Sequence, residues 1–214
     1  MRLHKLILGG AVCIAAIAAI TSCKSEEKRL AGAIPGMWAG TPETFSDIND
    51  LTATVTDTYY FSPDTAVVTE RQCPVGPITI QAMVSMATQV MTGDMMEPLS
   101  LSASGTAQIR GTWSAIGDDE ISLSLDPQTL TVVVDPGQVV ANGALIGESQ
   151  AAVDSMRPQV ANNLQASLMS ALSARYSSMR LMEDVEVKGN LMKYEMGAQD
   201  FVLTRTDQGL TTGK

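Results

Sequence analysis

Hydrophobic and polar residues alternate along the chain from about Gly36 to Val134. From Leu99 to Trp113 the odd positions carry Leu, Ala, Gly, Ile or Trp, and the even positions carry Ser, Thr, Gln or Arg. A period of two is typical of a β-strand with one buried and one solvated face. Strands this long are uncommon, and Gly105 and Gly111 would let this one bend. Long, bent strands favour a small closed barrel.

Other segments have a similar alternation or a β-branched and aromatic composition. The predicted strands cover residues 52–61, 65–71, 78–91, 120–125, 129–134, 185–187, 191–196 and 201–205. Asp126-Pro127-Gln128 has the composition of a hairpin turn between two of them. Short turns between about eight to ten strands indicate an antiparallel sheet. We therefore predict a mainly β fold, an antiparallel barrel.

One segment, between Glu148 and Met182, has a helical period. Its apolar side chains recur every three or four residues, at Val153, Met156, Val160, Leu164, Leu168, Leu172, Tyr176 and Met179. This spacing predicts one long helix at about residues 155–180, before the last strands, with Pro158 in its first turn. Residues 158–174 carry no charge, although solvated helix faces usually carry Lys and Glu. The uncharged side either covers the barrel mouth or faces a partner, unless the helix simply packs on the barrel wall.

The N-terminus has the features of a targeting segment. A short basic start at residues 1–5 precedes an uncharged, apolar run at 6–20. This run is shorter than the ~20 residues that a membrane span needs and suits a signal-peptide core. Ile20-Thr21-Ser22-Cys23 resembles the bacterial lipobox. The resemblance implies a signal peptide at 1–22 and lipid attachment at Cys23; an uncleaved anchor helix is the alternative.

Residues 23–33 would then form the acylated cysteine and its tether. Lys24-Ser25-Glu26-Glu27 resembles the export signal that carries lipoproteins of the Bacteroidota to the outer cell surface, or it is simply a solvated tether. Two or three acyl chains hold a protein firmly on a membrane, whereas one does so marginally. We expect the domain to be lipid-anchored in the bacterial cell envelope, at the outer membrane, on its periplasmic or surface face.

Removal of the signal would also change the available chemistry. It would remove His4, the only histidine, and with it Ser-His and Cys-His catalysis and histidine metal sites. Loss of Arg2 and Lys5 would lower the net charge from −9 to −11, which argues against a nucleic-acid partner. Cys73 would remain without a disulfide partner or a base, as a structural thiol.

The sequence does not support catalysis. Gly117-Asp118-Asp119-Glu120 is the densest acidic cluster, but it lacks the spacing of a calcium loop and lies where a hairpin turn is expected. We expect no catalytic residues, no cofactor and no metal, and we do not expect an enzyme. A hydrolase or isomerase with carboxylates in the barrel mouth is the weakest of the functional alternatives.

Two Gly-x-Trp pairs occur, Gly36-Met37-Trp38 and Gly111-Thr112-Trp113. The first resembles the opening of lipocalins and fatty-acid-binding proteins, in which the indole plugs the closed end of the barrel under a basic residue of the last strand. Arg205 would supply that residue here, because the alternation places it on the apolar face of its strand. Stacking over Trp38 would explain a cation on that face.

Residues 34–206 more closely resemble the lipocalin-like lipoproteins of gut Bacteroidota, which would leave 207–214 as a C-terminal tail. The resemblance implies a fold and a cellular location, but it does not imply a reaction. The long helix is larger than a simple lipocalin requires, and the second Gly-x-Trp pair has no counterpart in the lipocalin pattern.

The function expected from this fold is binding of a small apolar or amphipathic ligand. Met83, Met86, Met192 and Met196 lie in predicted strands, where methionines either fill the core or line an adaptable pocket. They are the candidate ligand-lining residues. The alternative is an interaction module with a filled barrel, which docks an envelope protein through the uncharged helix face. The free volume inside the barrel distinguishes the two hypotheses.

Overall fold

The computed structural model describes residues 27, 29–46, 51–63, 75–90, 99–142 and 148–206. It contains one sheet and one long helix, as the alternation and the helical period predict. The strands are β1 Gly36–Gly40, β2 Glu43–Ser46, β3 Thr52–Phe61, β4 Val75–Val90, β5 Leu99–Ile116, β6 Glu120–Val134, β7 Val140–Ala141, β8 Leu181–Lys188, β9 Leu191–Met196 and β10 Gln199–Arg205. The helix, α1, spans Glu148–Ser178. The predicted strand at 65–71 lies outside the described residues.

Eight of the strands close into an antiparallel barrel. Their order is β1-β10-β9-β8-β6-β5-β4-β3, and pairing between β1 and β3 closes the ring. β2 continues along the edge of β3 where β1 ends, and β7 continues along the edge of β5 where β6 ends. The mainly β prediction is confirmed, and the closed ring is consistent with a lipocalin-like barrel.

The two ends of the barrel are built differently. At the plug end, where β1 begins and β5 ends, all eight strands complete the ring. At the helix end, where β5 and α1 begin, β4 and β5 extend far beyond the shorter β8, β9 and β10. α1 takes the place of the missing strands and packs mainly against β6. It joins β8 beside the start of β6, where the Leu123 amide donates to the Arg180 carbonyl at 2.8 Å.

The helix bounds differ from the prediction. α1 begins at Glu148, earlier than residue 155, and Pro158 lies inside it instead of in its first turn. Proline there removes one backbone hydrogen bond, to the carbonyl of Asp154. Both residues are exposed, so water can satisfy that carbonyl. The inward face carries the predicted apolar stripe from Val153 to Tyr176.

The predicted hairpin turn at residues 126–128 is a bulge inside one continuous strand, β6. The register passes from Arg110 opposite Asp126 to Gln108 opposite Thr131, so β6 has extra residues there. Pro127 cannot donate to a ladder, and such residues are confined to edges and bulges. The Gln128 amide donates instead to Asp126 Oδ1 at 2.9 Å. The residues of a turn are present, but β5 is long enough to pair with β6 on both sides of them, so the chain does not reverse.

The N-terminal segment adds to the barrel before β1 begins. Residues 29–33 are helical, and Leu30, Ala31 and Ile34 are buried against the core. Part of the predicted tether at 23–33 therefore belongs to the folded domain, because these apolar side chains cover the plug end. Among the helices in the described ranges, none is long and apolar enough to cross a membrane.

Candidate functional site

The structure brings Trp38 and Arg205 together at the plug end. The two residues are direct register partners on β1 and β10, and the Arg205 guanidinium carbon lies 4.3 Å from the Trp38 ring centroid. Arg205 also donates to the carbonyls of Ala33 at 2.6 Å and Pro35 at 3.2 Å. The buried indole donates to the Ile34 carbonyl at 2.8 Å. One cation thus ties the last strand to the indole and to the N-terminal segment.

The second Gly-x-Trp pair also closes the plug end. Trp113 is buried, donates to the Ser62 carbonyl at 3.0 Å and packs perpendicular to the Phe61 ring, with the ring centroids 5.6 Å apart. Gly76 lies so close to the Trp113 indole that a Cβ there would be 2.6 Å from Nε1. Trp113 therefore seals the side formed by β3, β4 and β5, a role that the lipocalin pattern does not suggest.

The barrel interior is filled by core side chains and by α1. Met86 and Met192 are buried, and Met196 is half-buried against the core. Of two cavities lined by both α1 and the sheet, one holds about 10 Å³ and the other has no room for a water molecule. A single water needs about 10–15 Å³. In the part of the chain that the structure describes, these methionines fill the core and do not line an open lumen.

Met83, the fourth candidate ligand-lining methionine, lies on the face of β4 opposite to Met86. It points outward from β4 and is 74% exposed, because strand alternation sets it opposite Ala82 and Val84, which are buried. The parity of β4 was readable from the sequence and separates Met83 from the inward-facing positions.

Met83 and Val133 line one groove on the outer face of the barrel. They are the two most exposed large hydrophobic side chains in the described ranges, at 74% and 58%. The groove holds about 480 Å³, and its remaining lining residues are Pro42, Thr54, Thr56, Val84, Ser85, Ser104, Gly105, Thr106, Asp135 and Gln138. A neighbouring depression of about 340 Å³ shares Met83, Thr106 and Val133. Together they form the outer groove.

The outer groove is almost uncharged. Of its described lining residues, only Asp135 is ionisable, and Asp135 Oδ1 already accepts a hydrogen bond from the Gly137 amide at 2.8 Å. The other polar side chains in the lining carry hydroxyls and amides, and Met83 and Val133 are its most exposed large apolar side chains. Such a surface suits an uncharged molecule with one apolar part and several hydroxyl or amide groups.

A buried polar cluster, absent from the sequence predictions, joins α1 to the sheet. Asp57 of β3 is 3% exposed and is the one buried charged side chain among the described residues. It accepts hydrogen bonds from Arg175 at 2.8 Å and from the Tyr176 hydroxyl at 2.9 Å. Arg175 also binds both carboxylate oxygens of Glu43, at 2.8 and 2.9 Å. Asp57 has the same parity as the inward apolar residues of β3, so its burial was predictable from the sequence. The identity of its partners was not predictable.

The protonation states of this cluster indicate a structural role. Burial raises the pKa of Asp57, although Arg175 and the Tyr176 hydrogen bond oppose that rise. Burial also raises the pKa of Tyr176, sets that of Tyr59 well above its usual range and raises that of Tyr194 to about 12. The phenols therefore keep their protons at neutral pH. Among the cavities described, Tyr176 borders the one of about 10 Å³.

The structure describes only some of the remaining positions that the sequence analysis singled out. Residues 117–119 form the turn between β5 and β6, as expected for the acidic cluster. No group of three or more His, Cys, Asp or Glu in the described ranges could hold a metal ion. Cys23 and Cys73 lie outside the described residues.

Comparison with known proteins adds no family assignment. No protein-family model matches the chain, and no curated protein matches it. Its function therefore has to be inferred from its own residues.

Proposed function

We propose that this chain is a lipoprotein of the bacterial cell envelope, anchored in the outer membrane by acyl chains on Cys23. Its lipocalin-like barrel binds a small, uncharged amphipathic ligand in the outer groove, not in the lumen. The observation that carries this proposal is the contrast between a filled interior and a groove of about 480 Å³ around Met83 and Val133.

The size of the groove supports a small-molecule ligand. Binding sites for such molecules usually measure about 300–1,000 Å³. The outer groove lies in that range, whereas the two cavities described between α1 and the sheet are too small for anything larger than a water molecule. A carrier that enclosed its ligand would need α1 to leave the barrel.

The lining determines the chemistry of the ligand. Burying Met83 and Val133 together contributes roughly 3–5 kcal/mol, which the costs of association offset, so these two side chains alone give binding weaker than about millimolar. Tighter binding requires hydrogen bonds to the surrounding hydroxyls and amides. An anionic group would find no counterion among the described lining residues, because the one ionisable side chain there, Asp135, is itself a carboxylate.

Methyl NMR of methionine tests the groove directly. Octyl glucoside, kept below its micelle concentration, serves as an uncharged amphipathic probe. We expect a saturable shift of the Met83 methyl and none of the buried Met192 methyl. Val133→Asn should weaken the response severalfold, and Val140→Asn, an exposed position outside the groove, should not. No shift at Met83, or equal effects of the two variants, would contradict the proposal.

The anchor is tested separately by Cys23→Ser. Without an acylated cysteine the chain should leave the membrane fraction, because the acyl chains supply the firm part of its attachment. Intact mass of the wild-type chain should include those chains. Unchanged membrane fractionation of the variant would contradict the lipobox hypothesis.

A second candidate is docking of an envelope protein through the outer face of α1. This face is exposed and uncharged at Asn162, Asn163, Ala166, Ser170 and Ala174. A photo-crosslinking residue at Ala166, with a control at Thr58 on the barrel wall, tests it in intact cells. One defined adduct formed from position 166 alone would support docking. Adducts from both positions, or from neither, would reject it.

A further inference from the structure

The N-terminal segment is fastened to the plug end of the barrel. Leu30 and Ile34 are buried there, and Arg205 holds the carbonyl of Ala33. Before them, the Glu27 carboxylate accepts a hydrogen bond from the Gly117 amide at 3.4 Å, in the turn that follows β5. The path of the chain toward Cys23 therefore leaves from this end.

The chain between the barrel and Cys23 is short. Glu27 is only four positions after Cys23. Because an extended residue spans at most about 3.6 Å, Glu27 cannot lie more than about 14 Å from the acylated residue. The helix end is far outside this reach, since a strand as long as β5 spans roughly 60 Å when straight. Among the parts of the barrel, the plug end is thus held nearest the bilayer.

The plug end also presents apolar side chains that the groove does not use. Ile116 ends β5 and is 43% exposed, and Leu191 begins β9 and is 44% exposed. The other large exposed hydrophobic side chains described are Met83 and Val133 in the outer groove and Val140 at the helix end. Two of the five therefore lie at the end that the tether reaches.

We propose that the plug end is a membrane-contact surface, with Ile116 and Leu191 in the interfacial layer of the bilayer and the helix end directed away from it. This proposal rests on acylation of Cys23. Two independent observations carry it: the length of the tether and the position of the exposed apolar side chains.

The charges around these two residues indicate the kind of lipid surface. Asp118, Asp119 and Glu120 follow Ile116 in the chain, whereas Lys188, beside Leu191, already pairs with Glu186. Anionic lipids would be repelled by the acidic turn and would gain little from a paired lysine. The contact is therefore apolar, and vesicles of neutral phosphatidylcholine should support it without dependence on salt.

Spin labels measure this orientation. Ile116→Cys and Leu191→Cys are labelled in the acylated chain on a Cys73→Ser background, reconstituted in phosphatidylcholine vesicles. Val140→Cys, 46% exposed at the opposite end, is the matched control. We expect collision with oxygen, relative to a water-soluble nickel chelate, to be severalfold higher at 116 and 191 than at 140. Equal values at the three sites, or the highest value at 140, would overturn the proposal.

Intact mass of the same samples separates the two hypotheses. A mass without acyl groups would contradict the lipoprotein proposal and, with it, the membrane-contact proposal. If the chain is acylated but the labels at 116 and 191 behave as in water, only the membrane-contact proposal is contradicted. The unlabelled and labelled proteins should have the same circular dichroism, because both sites are exposed.

Discussion

Arg205 illustrates what single residues decide in this fold. It lies on the inward face of the last strand, where a cation needs both a partner for its charge and acceptors for its N–H groups. The Trp38 face supplies the first, and the Ala33 and Pro35 carbonyls supply the second. One side chain thus connects the last strand to the segment that precedes the first.

Replacement of this side chain tests its role as a barrel plug. We expect Arg205→Ala to lower the free energy of unfolding by about 1–3 kcal/mol, because it removes the stacked cation and its hydrogen bonds to two carbonyls. Arg205→Lys should recover part of the loss. Urea denaturation gives both values; unchanged stability of the alanine variant would reject the plug role.

Gly111 lies very close to the backbone of the neighbouring strand, β6. A Cβ at Gly111 would collide with the Ser124 carbonyl across the β5–β6 pair. We expect Gly111→Ala to cost about 1–3 kcal/mol, as overpacking does elsewhere. Gly32→Ala is the control, because a Cβ there meets nothing within 4 Å. Similar melting temperatures for the two variants would contradict this account of Gly111.

Residue-level prediction worked where alternation alone decides the outcome. The parity of the last strand was enough to select Arg205 as an inward residue. The same rule turns Met83 of β4 outward and Asp57 of β3 inward, as the structure has them. The partners of Asp57 are different, because Arg175 and Tyr176 lie more than a hundred positions away and reach it only through the docking of α1.

At the scale of elements, the Asp57 cluster fastens the helix to β3. Loss of one partner of a buried ion pair leaves the other charge uncompensated and typically costs 3–5 kcal/mol. We expect Asp57→Ala to destabilise the fold by roughly that amount. Asp154→Ala, which removes a surface pair with Arg157, should change stability by less than about 0.5 kcal/mol. Chemical denaturation distinguishes them, and equal effects would contradict a fastening role.

The same carboxyl predicts a pH dependence with a defined sign. Burial raises the pKa of Asp57 above its ordinary value of 3.8, so the folded chain holds this proton over a range where the unfolded chain has released it. The stability that comes from this raised pKa is complete below the ordinary pKa of 3.8. It is lost as the pH rises through the pKa of Asp57 in the folded chain. The stability of the wild type relative to Asp57→Asn should therefore increase as the pH is lowered from about 7 to about 4. A constant difference in urea titrations would contradict it.

Element types followed from the sequence more closely than element bounds did. Periods of two and of three to four separated strands from the helix correctly. The proline at 158 suggested a helix start, but an exposed position inside α1 tolerates it. Asp126-Pro127-Gln128 has the composition of a turn, whether the chain reverses there or forms a bulge within a strand. Whether it reverses the chain depends on how far β5 extends beside it, which local composition does not reveal.

At the scale of the whole molecule, the helix decides what the barrel can hold. The long strands on one side would form an open trough at the helix end, and α1 fills it. The sequence predicted a long helix before the last strands but left its position open. That position depends on contacts between distant segments, such as Val134 with Gln165 and Asp57 with Tyr176.

Among the cavities described, the outer groove is larger than the two cavities between α1 and the sheet. The outer groove, the exposed face of α1 and the plug end lie on different parts of the outer surface. The proposed orientation turns the plug end toward the bilayer and leaves the groove and the helix face accessible. Ligand binding and membrane attachment would then not compete for the same residues.

Native mass spectrometry of the chain released from its own host's envelope tests the central claim most directly. The wild type and a Met83→Asn variant are compared, with Met196→Leu as a control outside the groove. The account predicts an added mass on the wild type and the control that organic solvent removes and that the Met83 variant lacks. A bare wild-type chain, or an added mass that persists in the Met83 variant, would contradict ligand binding in the outer groove.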